Sequence, residues 1–244
     1  MLRLCDSKAV IVIGYVPGST FKPMKKHSID PGNARMRMIQ AAQTLFHRQG
    51  IHATSVDQIL KLSGTGKSQF AHYFKTKDGL VHEVLRHLHE WLRGDDAPVN
   101  YGIRTWDDLE AWFRFFVNAQ HRRGCDRACP IATIGNDLSE QQELLRQDVR
   151  LIFEWVRGQL GRFFAERRAA GELPAAVDPD QLADFCIVTV QGGLLVGKIE
   201  RDSAPFGNAV DHALAYINLL KQTGARRSFR RVPKRKPAAG RTTR

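Results

Sequence analysis

The sequence predicts an all-α chain: an N-terminal three-helix helix-turn-helix domain with its connecting helix over 34–93, then a larger helical domain over 94–225. Three observations carry that prediction. Apolar residues recur at three- and four-residue spacing along successive segments. Ser, Thr and Asp caps open those segments and Gly closes several of them. The formal charge of +12 is unevenly divided, with a net +5 over 34–80, −5 over 81–225 and +9 over 226–244. A basic module, a mildly acidic larger one and a basic tail suit a nucleic-acid-contacting unit attached to a separate body.

Residues 1–33 read as a disordered or mis-started extension. The apolar run Ala9 to Val16 is broken by Gly14 and is too short to cross a membrane. Asp6 precedes it and no small-residue cleavage pattern follows, so the expectation is a cytoplasmic chain. Met24 and Met36 are alternative starts, and a start at Met24 would leave Lys25-Lys26 as a short basic arm. The first helix follows. Met38, Ile39, Ala42, Leu45 and Phe46 share one face, and Gly50 ends it. Thr54 and Ser55 open the second, where Ser55 and Gln58 form a capping box and Val56, Ile59, Leu60 and Leu62 make the inward side. Ser63-Gly64 break it, Gly66 begins a third, and Phe70 and Phe74 give that helix its inward face.

The third helix turns Lys67, Gln69, His72 and Tyr73 outward. Backbone N–H groups at a helix start, with the Thr65 and Ser68 hydroxyls and Lys67, suit phosphate oxygens, and Gln69 suits a bidentate pair with a base edge. The same stretch imitates a phosphate-binding loop, but that pattern requires Gly at position 61, which is Lys, and a preceding strand where the chain has a helix-period run. An ATP-using enzyme is accordingly a remote alternative.

The run Arg37-Met-Ile-x-Ala41-Ala42-x-x-Leu45-Phe46-x-x-x-Gly50, then Thr54-Ser55-Val56-x-x-Ile59, Gly64-x-x-Lys67 and His72-Tyr73-Phe74-x-x-Lys77-x-x-Leu80, resembles the N-terminal domain of TetR-type transcriptional regulators in order and spacing. It departs at Gly66 and Ala71, where that family usually carries Ser and Tyr. The resemblance implies a homodimer whose third helix enters the major groove of double-stranded operator DNA, and a C-terminal domain that binds an unknown small-molecule effector and dimerises. Release of a repressor from a near-palindromic operator by that effector is the mode it implies. The DNA-facing set would be Thr54, Ser55, Thr65, Gly66, Lys67, Ser68, Gln69, His72, Tyr73 and Lys77. A helical interaction protein that has lost DNA binding is the reading Gly66 and Ala71 leave open.

From Thr76 a connecting helix carries Leu80, Val84, Leu85, Leu88 and Leu92 and ends at Gly94-Asp95-Asp96. Residues 97–104 read as loop. Thr105 with Asp108 caps a helix bearing Trp112, Phe113, Phe116 and Val117. These aromatics read first as core; with Cys129, Phe153 and Gln191, the residues Trp112, Phe113 and Phe116 are also the candidate wall of an effector pocket. Cys125 and Cys129 stand among Arg122, Arg123 and Arg127, and nearby cations lower a thiol's pKa, which makes a redox-switched regulator the main alternative. Cys5 and Cys186 stand alone, so no zinc site is expected, and no grouping calls for a cofactor or a catalytic role.

Ser139 with Gln142 should start the longest helix, running through Leu144, Leu145, Val149, Ile152, Phe153, Val156, Leu160, Phe163 and Phe164 to Gly171. Asp178-Pro179 is a strong start signal for the next. That helix is apolar almost all round near Gly193-x-x-x-Gly197, yet Asp184 and Gln191 interrupt it too much for a membrane span. With a last helix of about Ala204 to Gln222, it occupies the place where TetR-type chains build a dimer interface, which would include Gly193, Leu194, Gly197, Leu214 and Ile217. The tail from Arg226 should be disordered and adds nonspecific DNA affinity at most.

Overall fold

The computed structural model describes residues 33–95 and 97–228. The expected N-terminal extension up to residue 32, its alternative start and basic arm, and the tail beyond Ser228 lie outside the described residues. Within them the chain is all helical: α1 Ala34–Gln49, α2 Val56–Ser63, α3 Lys67–Tyr73, α4 Lys77–Arg93, α5 Trp106–Arg122, α6 Pro130–Asn136, α7 Glu143–Ala169, α8 Pro179–Glu200 and α9 Ala204–Ser228.

The caps fall where the side-chain chemistry put them. Ser55 and Gln58 satisfy each other's backbone N–H groups at the start of α2, and Thr105 and Asp108 do the same at α5. Asp178 accepts from the Asp180 and Gln181 N–H groups, with Pro179 at the first position of α8, where a missing N–H costs nothing. The start of α7 is later than expected. Ser139 and Gln142 do pair, at 3.0 Å from the Ser139 N–H to Gln142 Oε1, but they close a turn ahead of the helix instead of opening it. Helix α6 had not been expected, although Pro130 at its first position is a start signal. α9 also runs to Ser228, so the first residues of the supposed tail are helical.

Two apolar clusters organise the packing. The first joins α1, α2, α3 and α4 and extends to Ile131, Ile134, Leu145 and Ile152; the second joins α5, α7, α8 and α9. Leu80, Val81, Val84, Leu85 and Leu88 of α4 are wholly buried in the first, so α4 is held along its length. Tyr101, Cys129, Phe153 and Trp155 touch both clusters and mark the seam between them. α8 is long and apolar enough to cross a membrane by length and composition, but one side of it packs on α5, α7 and α9.

Two leucines expected inside are outside. Leu62 is 53% exposed, because Ile59, Leu60 and Ser63 take the inward face of α2 and Leu62 lies about 200° round from Leu60. Leu144 is 77% exposed, because Leu145 takes the inward position in the first turn of α7 and its neighbour turns about 100° away.

Candidate nucleic-acid interface

The outward face of α3 rests on a fixed platform. Phe70 and Phe74 are buried with ring centroids 5.7 Å apart, which anchors the helix to α1 and α4. Gly64 ends α2 in the left-handed region (φ 62°), and the Thr65 N–H bonds back to the Leu60 carbonyl at 3.1 Å. Arg37 Nε, on α1, donates to the Ser63 carbonyl at 3.1 Å and fixes the turn from behind.

On that platform Gly66, Lys67, Ser68, Gln69, His72 and Tyr73 are all exposed. The His72 and Tyr73 rings pack edge to face at 4.9 Å. Lys67 Nζ lies 3.3 Å from Asp57, an exposed pair that holds the ammonium weakly. Gln69 Oε1 accepts from the Gly66 N–H at 3.1 Å, so its carboxamide caps α3 in the unbound chain, and reading a base edge with both carboxamide atoms requires it to leave that cap. Ser55 is exposed at the α2 start, while the half-buried Thr65 pairs its hydroxyl with Ser63 at 2.6 Å.

Two of the expected residues are placed differently. Thr54 is 1% exposed and its hydroxyl donates to the Gly50 carbonyl, so it closes the α1–α2 corner and has no atom on the outer surface to offer. Lys77 reaches inward: Nζ donates to the Ile51 carbonyl at 2.6 Å, and burial lowers its pKa, opposed by Asp78 and Asp137. It ties the start of α4 to the same corner. The phosphate-binding-loop alternative fails on local structure, since helix α2 stands where that loop requires a strand.

The corner is gripped from the far side by the ends of α6. Asp137 Oδ2 accepts from the Ile51 N–H at 2.6 Å, the Asp137 carbonyl accepts from His52 Nε2 at 2.6 Å, and His47 Nε2 donates to the Ala128 carbonyl at 2.9 Å. His47 is buried, and desolvation lowers its pKa to about 4, helped by Arg127, Arg123 and Lys198 and opposed by its bond to Ala128. Farther along, Gln142 Nε2 donates to Asp78 at 2.8 Å and His82 Nδ1 meets Asp148 at 2.6 Å. Sequence reasoning missed Asp137, His47 and Arg37 in these roles. Their partners are 86, 81 and 26 residues away, and no local pattern signals them.

The candidate pocket residues divide. Trp112 and Phe113 are buried core. Phe116, Cys129, Phe153 and Gln191 are half-buried; Cys129 and Phe153 lie on the seam between the clusters, with Tyr101 and Trp155 stacked edge to face at 5.0 Å beside them. Burial pushes the Tyr101 hydroxyl and the Cys129 thiol up, the latter opposed by backbone groups at the α6 start and by Gln191. The Cys125 thiol is likewise raised, by burial and then by Asp202 and Asp126. The expected activation of these thiols by arginines is not favoured: burial raises both, and no arginine acts to lower either. Among the described residues no three His, Cys, Asp or Glu side chains come together as metal ligands.

A groove of about 1000 Å³ runs between α8 and α9, and none of the six candidate pocket residues lines it. Its walls include Phe185, Val188, Val196, His212 and Tyr216, with the Phe185 and Tyr216 rings 5.7 Å apart. Most of the expected dimer-contact residues turn out to be occupied within the protomer. A Cβ on Gly193 would lie 2.0 Å from the Phe206 ring, and one on Gly197 2.6 Å from Gln120, so these glycines serve the close approach of α9 and α5 to α8. Leu194 and Ile217 are buried beside them, and Leu214 is half-buried.

Comparison with known sequences gives two matches along the chain. Residues 38–84 match the family described as bacterial regulatory proteins, tetR family, and residues 105–213 match the tetracyclin repressor-like C-terminal domain. The chain is similar to the transcriptional regulator AcuR of Cereibacter sphaeroides, 24% identical over 187 residues, covering 76% of this chain and 85% of that one. It is also similar to the HTH-type transcriptional repressor DhaR of a Mycobacterium species, 26% identical over 181 residues, covering 70% and 85%. Among solved structures, a regulatory protein TetR from Rhodobacter sphaeroides has the same fold, with a TM-score of 0.65 at 23% identity over 75% of this chain and 97% of that one.

Proposed function

Because this chain belongs to the TetR family and is a DNA-binding transcriptional regulator, we propose that it is a homodimeric repressor released from a near-palindromic operator by a small-molecule effector. The head would span 34–93 and the effector-binding and dimerising body 94–225. The observation that carries the reading is the exposed polar face of α3, with Lys67, Ser68, Gln69, His72 and Tyr73 held outward over the buried Phe70 and Phe74. Phosphate contacts from the Lys67–Ser68 end would position the helix, and Gln69 would read a base edge. A relative named as a repressor supports the sign of regulation.

Dimerisation falls to the outer faces of α8 and α9. Phe185, Val188, Val196 and Ile199 form one stripe, Tyr216 and Leu219 another, and all are exposed in the protomer, Val188 at 68% and Ile199 at 72%. A second copy covering these stripes would remove the apolar surface from water in a four-helix contact. The effector would enter the seam lined by Phe116, Cys129, Phe153 and Gln191, with Tyr101 and Trp155. Occupation of the seam would favour a head spacing that fits the operator poorly. The protein would act in the cytoplasm, where its DNA is.

The test is selection of random and genomic DNA by the purified protein at two salt concentrations, followed by sequencing. A palindrome enriched at both is expected. Binding without any enriched sequence, vanishing at the higher salt, would refute specific recognition by α3 and leave only counterion release by the basic segments.

A further inference from the structure

Around the α5–α6 turn, where the end of α1 meets the body, Arg123, Arg127 and Lys198 lie close enough to act on His47, and among the described residues no carboxylate pairs with any of the three cations. Arg123 is the C-cap of α5, Arg127 lies two residues beyond Cys125, and Lys198 is on the last turn of α8. Packing brings these segments together. Gln120 Nε2, one turn before Arg123, donates to the Leu194 carbonyl at 2.8 Å, Gly197 sits against the Gln120 carboxamide, and His121 Nδ1 meets Ser203 at 3.1 Å. From the head, His47 reaches in and is fixed on Ala128, the residue after Arg127.

Arg123 and Arg127 are half-buried, yet neither guanidinium makes an ion pair or hydrogen bond among the described residues, and Lys198 Nζ makes none either. Asp126 and Asp202 are near, but their charges act on Cys125, and neither is within 4.0 Å of a cation here. The His47 ring is 6% exposed and, with Nε2 on Ala128, leaves Nδ1 buried with no partner. Half-buried guanidinium groups close to one another and without counter-charge are unfavourable, and burial together with Arg127 and Arg122 lowers the Arg123 pKa. A helix C-terminus accounts for one cation by its dipole, but Arg127 lies outside α5 altogether.

We infer that Arg123, Arg127 and Lys198, with His47, form a binding site for a small anion bearing a carboxylate or phosphate group, set between the body and the end of α1. The guanidinium groups provide paired N–H donors for such oxygens, and Lys198 adds a point charge at the open side. Occupation also acts on the head. An anion here cancels the positive field on His47 and raises its proton affinity. This site shares no residue with the apolar seam proposed for the effector.

The experiment uses the full-length protein and inorganic phosphate, with acetate as the carboxylate arm and sodium chloride at matched ionic strength as reference. Thermal unfolding and calorimetric titration read binding, and imidazole NMR, with His47→Gln to assign the signal, reads location. A saturable rise in Tm with phosphate or acetate over chloride is expected, together with an upward move of the His47 titration midpoint. Which of the two anions gives it identifies the group recognised. R123Q/R127Q should weaken binding about tenfold or more, while R123K/R127K retains most of it. Stabilisation no greater than chloride's would overturn the proposal. So would equal phosphate binding in R123Q/R127Q with an unmoved His47 midpoint, since the anion would then sit elsewhere, as on the basic tail.

Discussion

Replacing Gly50 with Ala tests the junction between head and body through two separable effects. Gly50 has φ 81° and ψ 170°, a region essentially reserved for glycine, and an L side chain there costs about 1–3 kcal/mol in backbone strain. The new Cβ would also lie 2.4 Å from Asp137 Oδ2. Restoring van der Waals contact moves the carboxylate by about 1 Å, which breaks its 2.6 Å bond from the Ile51 N–H. Ile51 is buried, and an unsatisfied donor there costs about 1–3 kcal/mol more. The expected loss is therefore about 2–6 kcal/mol, the sum of the two effects. Asp137→Ala alone removes only the acceptor and should cost about 1–3 kcal/mol. In the double variant the collision has no second party, so the two losses should fall short of additivity by at least about 1 kcal/mol. Gly171→Ala is the control: φ is 77° and nothing lies within 4 Å of its Cβ, so it carries the strain without the collision. The assay is urea unfolding followed by far-ultraviolet circular dichroism at one fixed protomer concentration. Additivity within about 0.5 kcal/mol, or a Gly50→Ala loss equal to that of Gly171→Ala, would refute the account of this corner.

Gln69→Ala should weaken binding to the selected operator by about 1–3 kcal/mol and relax preference at one base pair; fluorescence anisotropy showing an unchanged preference would remove Gln69 from base reading. Lys67→Ala should weaken all DNA sequences alike and lower the salt slope by about one unit, and a sequence-selective loss would contradict its phosphate role. Val188→Asp with Ile199→Asp puts carboxylates on the outer stripe of α8, and sedimentation should show a folded monomer; a dimer of undiminished affinity would place the contact elsewhere. For pH, the folded His47 value of about 4 lies below the ordinary 6.5, so between these values the unfolded chain takes up a proton that the folded one refuses. Stability should fall as pH drops through that window, by up to about 3 kcal/mol below pH 4, and His47→Gln should flatten the slope; identical slopes would count against a buried neutral imidazole.

What the sequence makes legible follows the range of the interaction. Caps such as Ser55–Gln58 and Thr105–Asp108 act within one turn, and the stripe Leu80, Val84, Leu85, Leu88 is a one-helix pattern, so both read directly. The outward face of α3 is legible for the same reason. Thr54 was misplaced because a Thr beside an N-cap reads as polar and outward, while its hydroxyl folds back on Gly50 one turn earlier. Gly193 and Gly197 announced a close helix approach correctly, but spacing cannot name the partner, and Phe206 and Gln120 of the same chain supply it. For the thiols the arginines adjoin them in sequence, whereas burial raises both and, at Cys125, nearby carboxylates add to it.

The polar contacts at the head–body junction differ in kind from the apolar ones, and the difference decides how movement passes between the two parts. α4 lies on the first cluster through Leu80, Val84, Leu85 and Leu88, contacts without direction that tolerate small slides. α6 is only seven residues long, and its flanks hold the α1–α2 corner by directional bonds, Ala128 to His47 and Asp137 to Ile51 and His52. Hydrogen bonds weaken steeply with misalignment, so a shift of α6 must either carry the corner with it or break those bonds. The corner in turn holds Lys77 through the Ile51 carbonyl, and Lys77 begins α4 immediately after the turn that ends α3. A displacement at α6 thus reaches both ends of the α2–α3 unit through Ile51. The seam residue Cys129 is the N-cap of α6, so anything that wedges the seam open pushes first on a helix whose bonds to the head do not slide.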